Sequence, residues 1–279
     1  MSILPTQTNI ELAPKSFKKQ PEDFEFVEPD ISEVITEDDT PVDNLITEKQ
    51  QRLLTTTLYS SFQTDLPFLA TANVGLFYGN KIPPLVPEVL VSLRVKVPED
   101  WSQKQNRSYF VFSFGKPPEV AIEIVSNKIG NVLGSKLQDY AFAAVGYYVV
   151  FDPLKQLGET ILRVYELRGN SYVELGNFYL SQVGLRLTIW HGIFEGKEYD
   201  WLRWCDDSGN ILLTGDERAE QEKQRAEEEK QRAEQEKKRA EQEKKRAEQE
   251  KKRAEQEKQR ADKLAEILRE RGINPDEVL

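Results

Sequence analysis

The chain is poor in the residues that usually advertise chemistry: its 279 residues hold one cysteine, one histidine and one methionine. A lone Cys205 excludes an intrachain disulfide, and a reducing compartment is its simplest home. With no second Cys or His beside it in RWCDD, it reads as a core thiol rather than a zinc ligand. A lone His191 means that any histidine-based triad would depend on that residue alone. WHGIFEG offers it no paired acid or nucleophile, so it reads as a loop or strand-end histidine. Long hydrophobic runs are also missing. MSILPTQTNIELAPKSFKKQ contains no continuous apolar core, and no later stretch approaches a bilayer span. We therefore expect a soluble, cytoplasmic protein with no membrane partner.

A broad basic stripe, which dominates non-specific DNA affinity, is absent as well. The formal net charge is −10, from 48 acids and 38 bases. The tail from Asp216 holds 20 acids and 19 bases, so almost all the excess lies earlier, much of it in PEDFEFVEPDISEVITEDDTPVD. Any nucleic-acid contact must rest on a local site. Aromatic residues stop before Asp216, and glycine and proline are missing between Asp216 and Arg271. The chain thus has material for one sizeable core in its first three quarters, followed by something different.

Three regions result. Residues 1–40 are acidic and proline-punctuated, which suits a disordered or loosely docked arm. Residues 41–215 carry the core. VDNLITEKQQRLLTTTLYSSF predicts a helix over 44–60 with Asp43 as its cap. Strands are predicted at 68–78, 86–97, 108–114, 119–126 and 147–152, with a helix over 134–145 between the last two. ILRVYELRGNSYVELG reads as a hairpin turning at Arg168-Gly169-Asn170, and a second hairpin turn falls at Asp207-Ser208-Gly209-Asn210. This order gives an α/β (α+β mixed) domain with a central mixed sheet flanked by helices.

Residues 216–279 form a charged heptad repeat, RAEQEKQ and its variants, with Arg at 218, 225, 232, 239, 246, 253 and 260. Nearly every residue is a strong helix former. Glu234–Lys238, Glu241–Lys245 and Glu248–Lys252 stand at i,i+4 in the favourable order. Only Ala is apolar in each heptad, and the position three further on is a charge such as Glu222 or Glu236, whereas a coiled-coil seam needs apolar residues at both places. A freestanding single helix and a weak Ala-seam coiled coil both fit. Ala261, Leu264, Ala265, Ile267 and Leu268 give the last turns an apolar face before Gly272. A protein partner or a second copy, giving a homodimer, could dock there.

The segment PPEVAIEIVSNKIGNVLGSKLQDYAFAAVGYYVVFDP interrupts an apolar strand with Glu123. An ionised carboxylate in a buried strand is costly unless it is paired or holds a cation. Glu88, in PPLVPEVLVSL, has the same oddity at the start of another apolar strand. Two acids on adjacent strand ends could converge on one divalent ion, and oxygen ligands suit Mg²⁺ or Mn²⁺. Strand-edge glutamates facing water are the plainer alternative. Lys136, in the first turn of the following helix, is placed to point back at the strand end, where it could orient a water or stabilise phosphate charge. Lys128 lies closer in sequence, in a glycine-bounded loop. Glu48, on the first helix, is either an orienting residue for the metal shell or a solvated helix residue. Tyr140, one turn after Lys136, reads as core with an accessory role as the alternative.

PPLVPEVLVSL, PPEVAIEIVSNK, GSKLQDYAFAAVGYYVVFDP and TILRVYELRG together resemble the Uma-two family of the PD-(D/E)XK nuclease superfamily, over roughly residues 44–205. The resemblance implies a restriction-endonuclease-like central mixed sheet and Mg²⁺-dependent cleavage of DNA phosphodiester bonds. It makes Glu123 the acid of the E-x-K strand, with Val125 where the lysine normally stands and Lys136 supplying the lysine function from the next helix. Glu88 falls on the Pro-Asp motif, which reads Pro87-Glu88 here. The extra methylene moves the carboxylate by about a bond length, a displacement that can cost on the order of 10²-fold in rate. The resemblance thus implies a metal-dependent endonuclease, acting in defence or on mobile elements, with metal held by Glu88 and Glu123 and water activated by Lys136. The acidic surface, the Pro-Glu departure and the long tail support an alternative: a weak or inactive nuclease-fold scaffold that engages partners through its C-terminal helix.

Overall fold

The structure, a computed structural model, describes residues 44–126 and 131–272. The acidic arm, Asp43 and Lys128 lie outside the described residues. In chain order the elements begin with α1 (Leu45–Ser61), β1 (Phe68–Ala72), β2 (Leu76–Phe77), β3 (Val89–Leu93) and β4 (Tyr109–Phe110). They continue with α2 (Val111–Phe114), β5 (Val120–Ile124), α3 (Ser135–Phe142), β6 (Tyr147–Phe151), β7 (Leu162–Arg168) and β8 (Ser171–Glu174). The chain closes with β9 (Tyr179–Leu180), β10 (Leu185–Phe194), β11 (Lys197–Cys205) and α4 (Gly215–Glu270).

The main sheet has six strands in the order β1-β3-β5-β6-β7-β8. β5 and β6 are parallel and joined through α3, while the other neighbours run antiparallel. The sheet is therefore mixed. β3, β5 and β6 are buried along their whole length, which explains their continuous apolar spelling: a strand covered on both faces cannot alternate. On one face Val89, Val91, Ile122, Ile124, Val149 and Phe151 meet Leu54 and Leu58 of α1 and Leu187, Leu202 and Trp204 of the β9–β11 sheet. On the other face Leu90, Ala121, Tyr148 and Val150 pack with Tyr140 of α3 and with Leu76 and Tyr109. Each large side chain fully buried in these layers contributes roughly 1.5–3 kcal/mol.

Turn chemistry sets the hairpins. Gly169, at φ +67°, takes the first central position of the two-residue β7–β8 turn, where a type II′ geometry requires a left-handed residue. The β10–β11 turn uses Glu195 and Gly196, both at positive φ, in the type I′ manner.

Several expectations are corrected. The turn at Asp207–Asn210 closes only a single bridge between Cys205 and Ile211, and the long hairpin lies upstream, at Glu195-Gly196. The strand predicted over 68–78 is cut in two because Asn73 sits at φ +54°. SYFVFSF is not one strand: after β4 the chain turns into α2, which Gly115 ends in the left-handed region. Stacking of Tyr109 on Phe114 (4.3 Å) and of Phe77 on Phe110 (4.4 Å) holds that turn against the strand preference of the aromatic residues. The N-cap of α1 is Asn44, whose side chain accepts from the backbone N–H groups of Ile46 and Thr47. The second helix stops at Phe142, short of 145.

α4 starts at a capping box in which the Thr214 hydroxyl accepts from Glu217 N–H and the Glu217 carboxylate accepts from Thr214 N–H. Glu217 also receives Arg203 Nη2 of β11 at 2.7 Å, and Arg203 is only 1% exposed. Beyond this anchored turn α4 has no buried residue, and Lys238–Glu234 (2.7 Å) and Lys245–Glu241 (3.1 Å) pair along it. Its 56 residues amount to about 84 Å of helix. Leu264 and Ile267 of the apolar end are exposed. No helix among the described residues is long and apolar enough to cross a membrane.

Candidate active site

Glu123 lies one residue before the carboxyl end of β5, in the parallel pair with β6, the region where open α/β sheets place their ligands. Its side chain is 3% exposed and each of its oxygens accepts one hydrogen bond from α3. Lys136 Nζ donates to Oε2 at 2.8 Å and the Tyr140 hydroxyl donates to Oε1 at 2.7 Å. The spacing accounts for this. Residues four apart on a helix share a face, so Lys136 and Tyr140 reach one strand residue together. Lys136 is a third exposed, which makes it the solvent-facing edge of the cluster.

The electrostatics follow from the burial. Desolvation pushes the Glu123 carboxyl above the usual carboxylate range, while the charge and hydrogen bond of Lys136 and the hydrogen bond of Tyr140 pull it back. Burial, reinforced by the Glu123 charge, pushes Tyr140 well above an ordinary phenol. Its hydroxyl is therefore a fixed donor and not a base. Tyr140 stacks on Tyr148 at 4.8 Å, and the Tyr148 hydroxyl donates to Val132 O at 2.9 Å. An aromatic layer thus fixes the ring that fixes the carboxylate.

Glu88 stands immediately before β3. Val89, the first residue of β3, is paired with Ile122, so Glu88 stands just outside the ladder at the end of β5 that carries Glu123. The two acids thus approach the same end of the sheet along neighbouring strands. Their side chains have different holders. Glu88 Oε2 accepts a hydrogen bond from Gln51 Nε2 of α1, whereas Glu123 is held by α3. The structure brings Glu123, Lys136 and Tyr140 into direct contact, whereas Glu88 is tied to α1, which packs on the other face of the sheet from α3.

Glu48 takes another path: it binds Arg52 one turn along α1 at 2.9 Å, and Arg52 continues to Glu195 at the β10–β11 turn. That network is exposed and ties a helix to a hairpin. His191, which sequence reasoning left without an acid, has one across the hairpin, with Nδ1 2.8 Å from Asp200 Oδ1. The contact escaped notice because it spans the unrecognised β10–β11 turn. Cys205 is buried and burial pushes its thiol up, which suits an inert core residue.

The residue that sequence reasoning missed is Gln51. Its side chain is buried at the α1–β3 junction, where it donates to Glu88 and where its Oε1 accepts from Asn73 Nδ2 at 3.4 Å. The available signal was an amide inside the apolar spacing of Leu54 and Leu58.

Among the described residues, no group of three or more His, Cys, Asp or Glu gathers to hold a metal ion. Mg²⁺ does not need one. It keeps several waters and is usually bound through one or two carboxylates together with substrate phosphates. Two hard-oxygen acids on adjacent strand ends, with a lysine at the open edge, fit that donor set.

The family model described as "Putative restriction endonuclease" (Uma2) matches residues 21–186. A crystal structure of "a putative nuclease belonging to DUF820 from Anabaena variabilis ATCC 29413" is 14% identical, with a TM-score of 0.36, covering 50% of this chain and 72% of that one. No curated protein matches the chain. The family match takes in α1, β3, β5, α3 and β6, and with them every residue of the cluster just described. The chain belongs to the Uma2 family.

Proposed function

We propose that the chain is a Mg²⁺-dependent endonuclease that hydrolyses DNA phosphodiester bonds at the β3–β5 end of its main sheet. The observation that carries this reading is the buried Glu123, with each carboxylate oxygen assigned to a different donor of one helix. Polar networks of this completeness are costly to build inside an apolar sheet and are concentrated at functional sites. Glu88 and Glu123 would hold the ion. Bound there, Mg²⁺ supplies Lewis acidity toward a phosphate oxygen and a lowered pKa for attacking water.

The chain's own groups do the rest. The Lys136 ammonium, at the open edge, binds and neutralises a phosphate oxygen and orients the water beside it. Tyr140 holds the Glu123 carboxylate in one rotamer, so the acid faces the same point throughout the reaction. Gln51 does the same for Glu88. The acidic remainder of the molecule offers DNA little non-specific attraction, so binding is local and salt-sensitive only to the extent of a few contacts.

The purified full-length protein should nick DNA in Mg²⁺ or Mn²⁺. Glu123→Gln and Lys136→Ala should each remove that activity while the thermal melt shows a folded protein. An unchanged rate in both variants would overturn the reading. A second reading, a nuclease-fold scaffold without turnover, draws support from the exposed 56-residue α4 and from Pro87-Glu88 in place of Pro-Asp. It expects no nicking by the parent protein, and loss of partner capture when α4 is removed.

A further inference from the structure

α1 buries two adjacent glutamines, Gln50 and Gln51, and their bonding differs in kind. Gln50 uses both ends of its amide on one backbone residue: Nε2 donates to Leu202 O and Oε1 accepts from Leu202 N, both at 2.9 Å. That is a structural clasp between α1 and β11. Gln51 is also nearly inaccessible, at 5% exposure, but its donor goes to a carboxylate side chain, Glu88, and its oxygen to Asn73. Asn73 stands in the left-handed region and sends its own N–H to Glu88 O at 3.4 Å. Residues 73, 51 and 88 are therefore linked to one another at the entry to β3.

We infer that Gln51 is a positioning residue: it fixes the longer Glu88 side chain so that a glutamate can serve where an aspartate would otherwise stand. This rests on the proposed metal-dependent reading. Glutamate has one more rotatable bond than aspartate, and a ligand that must be immobilised on binding loses that freedom as affinity. A buried carboxamide removes it beforehand. It donates a hydrogen bond without bringing a positive charge of its own to the carboxylate, as a lysine at the same place would. Outer hydrogen bonds of this type typically contribute about 10–100-fold to metal affinity.

The test is Mn²⁺ affinity, followed by electron paramagnetic resonance on the full-length protein with no DNA present. Gln51→Met keeps the volume and removes the donor. Gln51→Asn keeps an amide but withdraws it by a methylene. Both should weaken Mn²⁺ binding about 10-fold in protein that still shows a cooperative melt. The decisive comparison uses Glu88→Asp. Aspartate draws the carboxylate back from Gln51 by a methylene, so Gln51→Met should have no further effect on Mn²⁺ affinity in that background. A Kd within twofold of the parent in both Gln51 variants overturns the inference, as does an equal loss with Glu88 and with Asp at position 88. If the parent binds Mn²⁺ and only the Gln51 variants are indifferent, the endonuclease reading stands alone. If the parent binds no Mn²⁺, both fall.

Discussion

A glutamate inside an apolar strand is affordable only when every oxygen has a partner, and Glu123 shows how narrow the margin is. Burial raises its pKa and the Tyr140 hydrogen bond lowers it. Removing that bond in Tyr140→Phe should move the Glu123 pKa further up. If turnover needs the ionised acid, the acid limb of the pH–rate profile should shift to higher pH, with the rate at neutral pH falling on the order of 10-fold. An unshifted limb would mean that Glu123 is not the titrating group. His191 makes a cleaner reporter, being the sole histidine. Its bond to Asp200, with help from Glu198, raises its pKa above the usual 6.5. A raised pKa on a base is stabilisation present below the unfolded value and lost as pH rises through the folded one. The imidazole resonances should titrate with a midpoint above 6.5, and Asp200→Asn should bring the midpoint down. The sequence made Glu123 and Lys136 legible because a charge inside VAIEIV and a lysine at a helix start are local oddities. Gln51 and Asp200 were not legible, since each acts across the fold, on partners 37 and 9 residues away.

Periodicity located the elements, and packing decided the exceptions. β5, β6, α3 and the β7–β8 hairpin follow from apolar runs, the 3.6-residue period and Gly169. α2 does not, because an aromatic-rich run reads as strand until its ring partners are known. The β10–β11 turn was missed because Glu195 occupies a left-handed position usually given to Asn or Asp. At the same scale, the start of α4 makes a stability prediction. Thr214→Ala should cost about 1 kcal/mol through loss of the cap. Glu217→Ala should cost more, about 2–3 kcal/mol, because it leaves the nearly inaccessible Arg203 without its carboxylate, a penalty reduced here by the part-exposure of Glu217. Urea unfolding followed at the tryptophans measures both. Equal losses would show that the ion pair adds nothing to the cap.

The whole molecule joins a compact sheet domain to a rod. Without aromatic residues or proline, and with no glycine after Gly215, α4 is supported by its own i,i+4 pairs and not by burial. Spin labels at positions 217 and 269 should report a separation near 78 Å, against roughly 40 Å for a flexible chain of the same length. A broad distribution centred on the shorter value would remove the rod. High salt should shift the population toward shorter distances by screening the pairs.

The anchoring of that rod has a mechanical side. Arg203 grips the first turn of α4 from inside β11 and Arg218 donates to Ser60 O at the end of α1, so the helix axis is coupled to the sheet domain at its base. A tilt of about 5° at this pivot sweeps the far tip by roughly 7 Å, at a lever arm of about 84 Å. Whatever tugs on the tip delivers its torque to the strand that Gln50 clasps, next door on α1 to the glutamine that steadies Glu88.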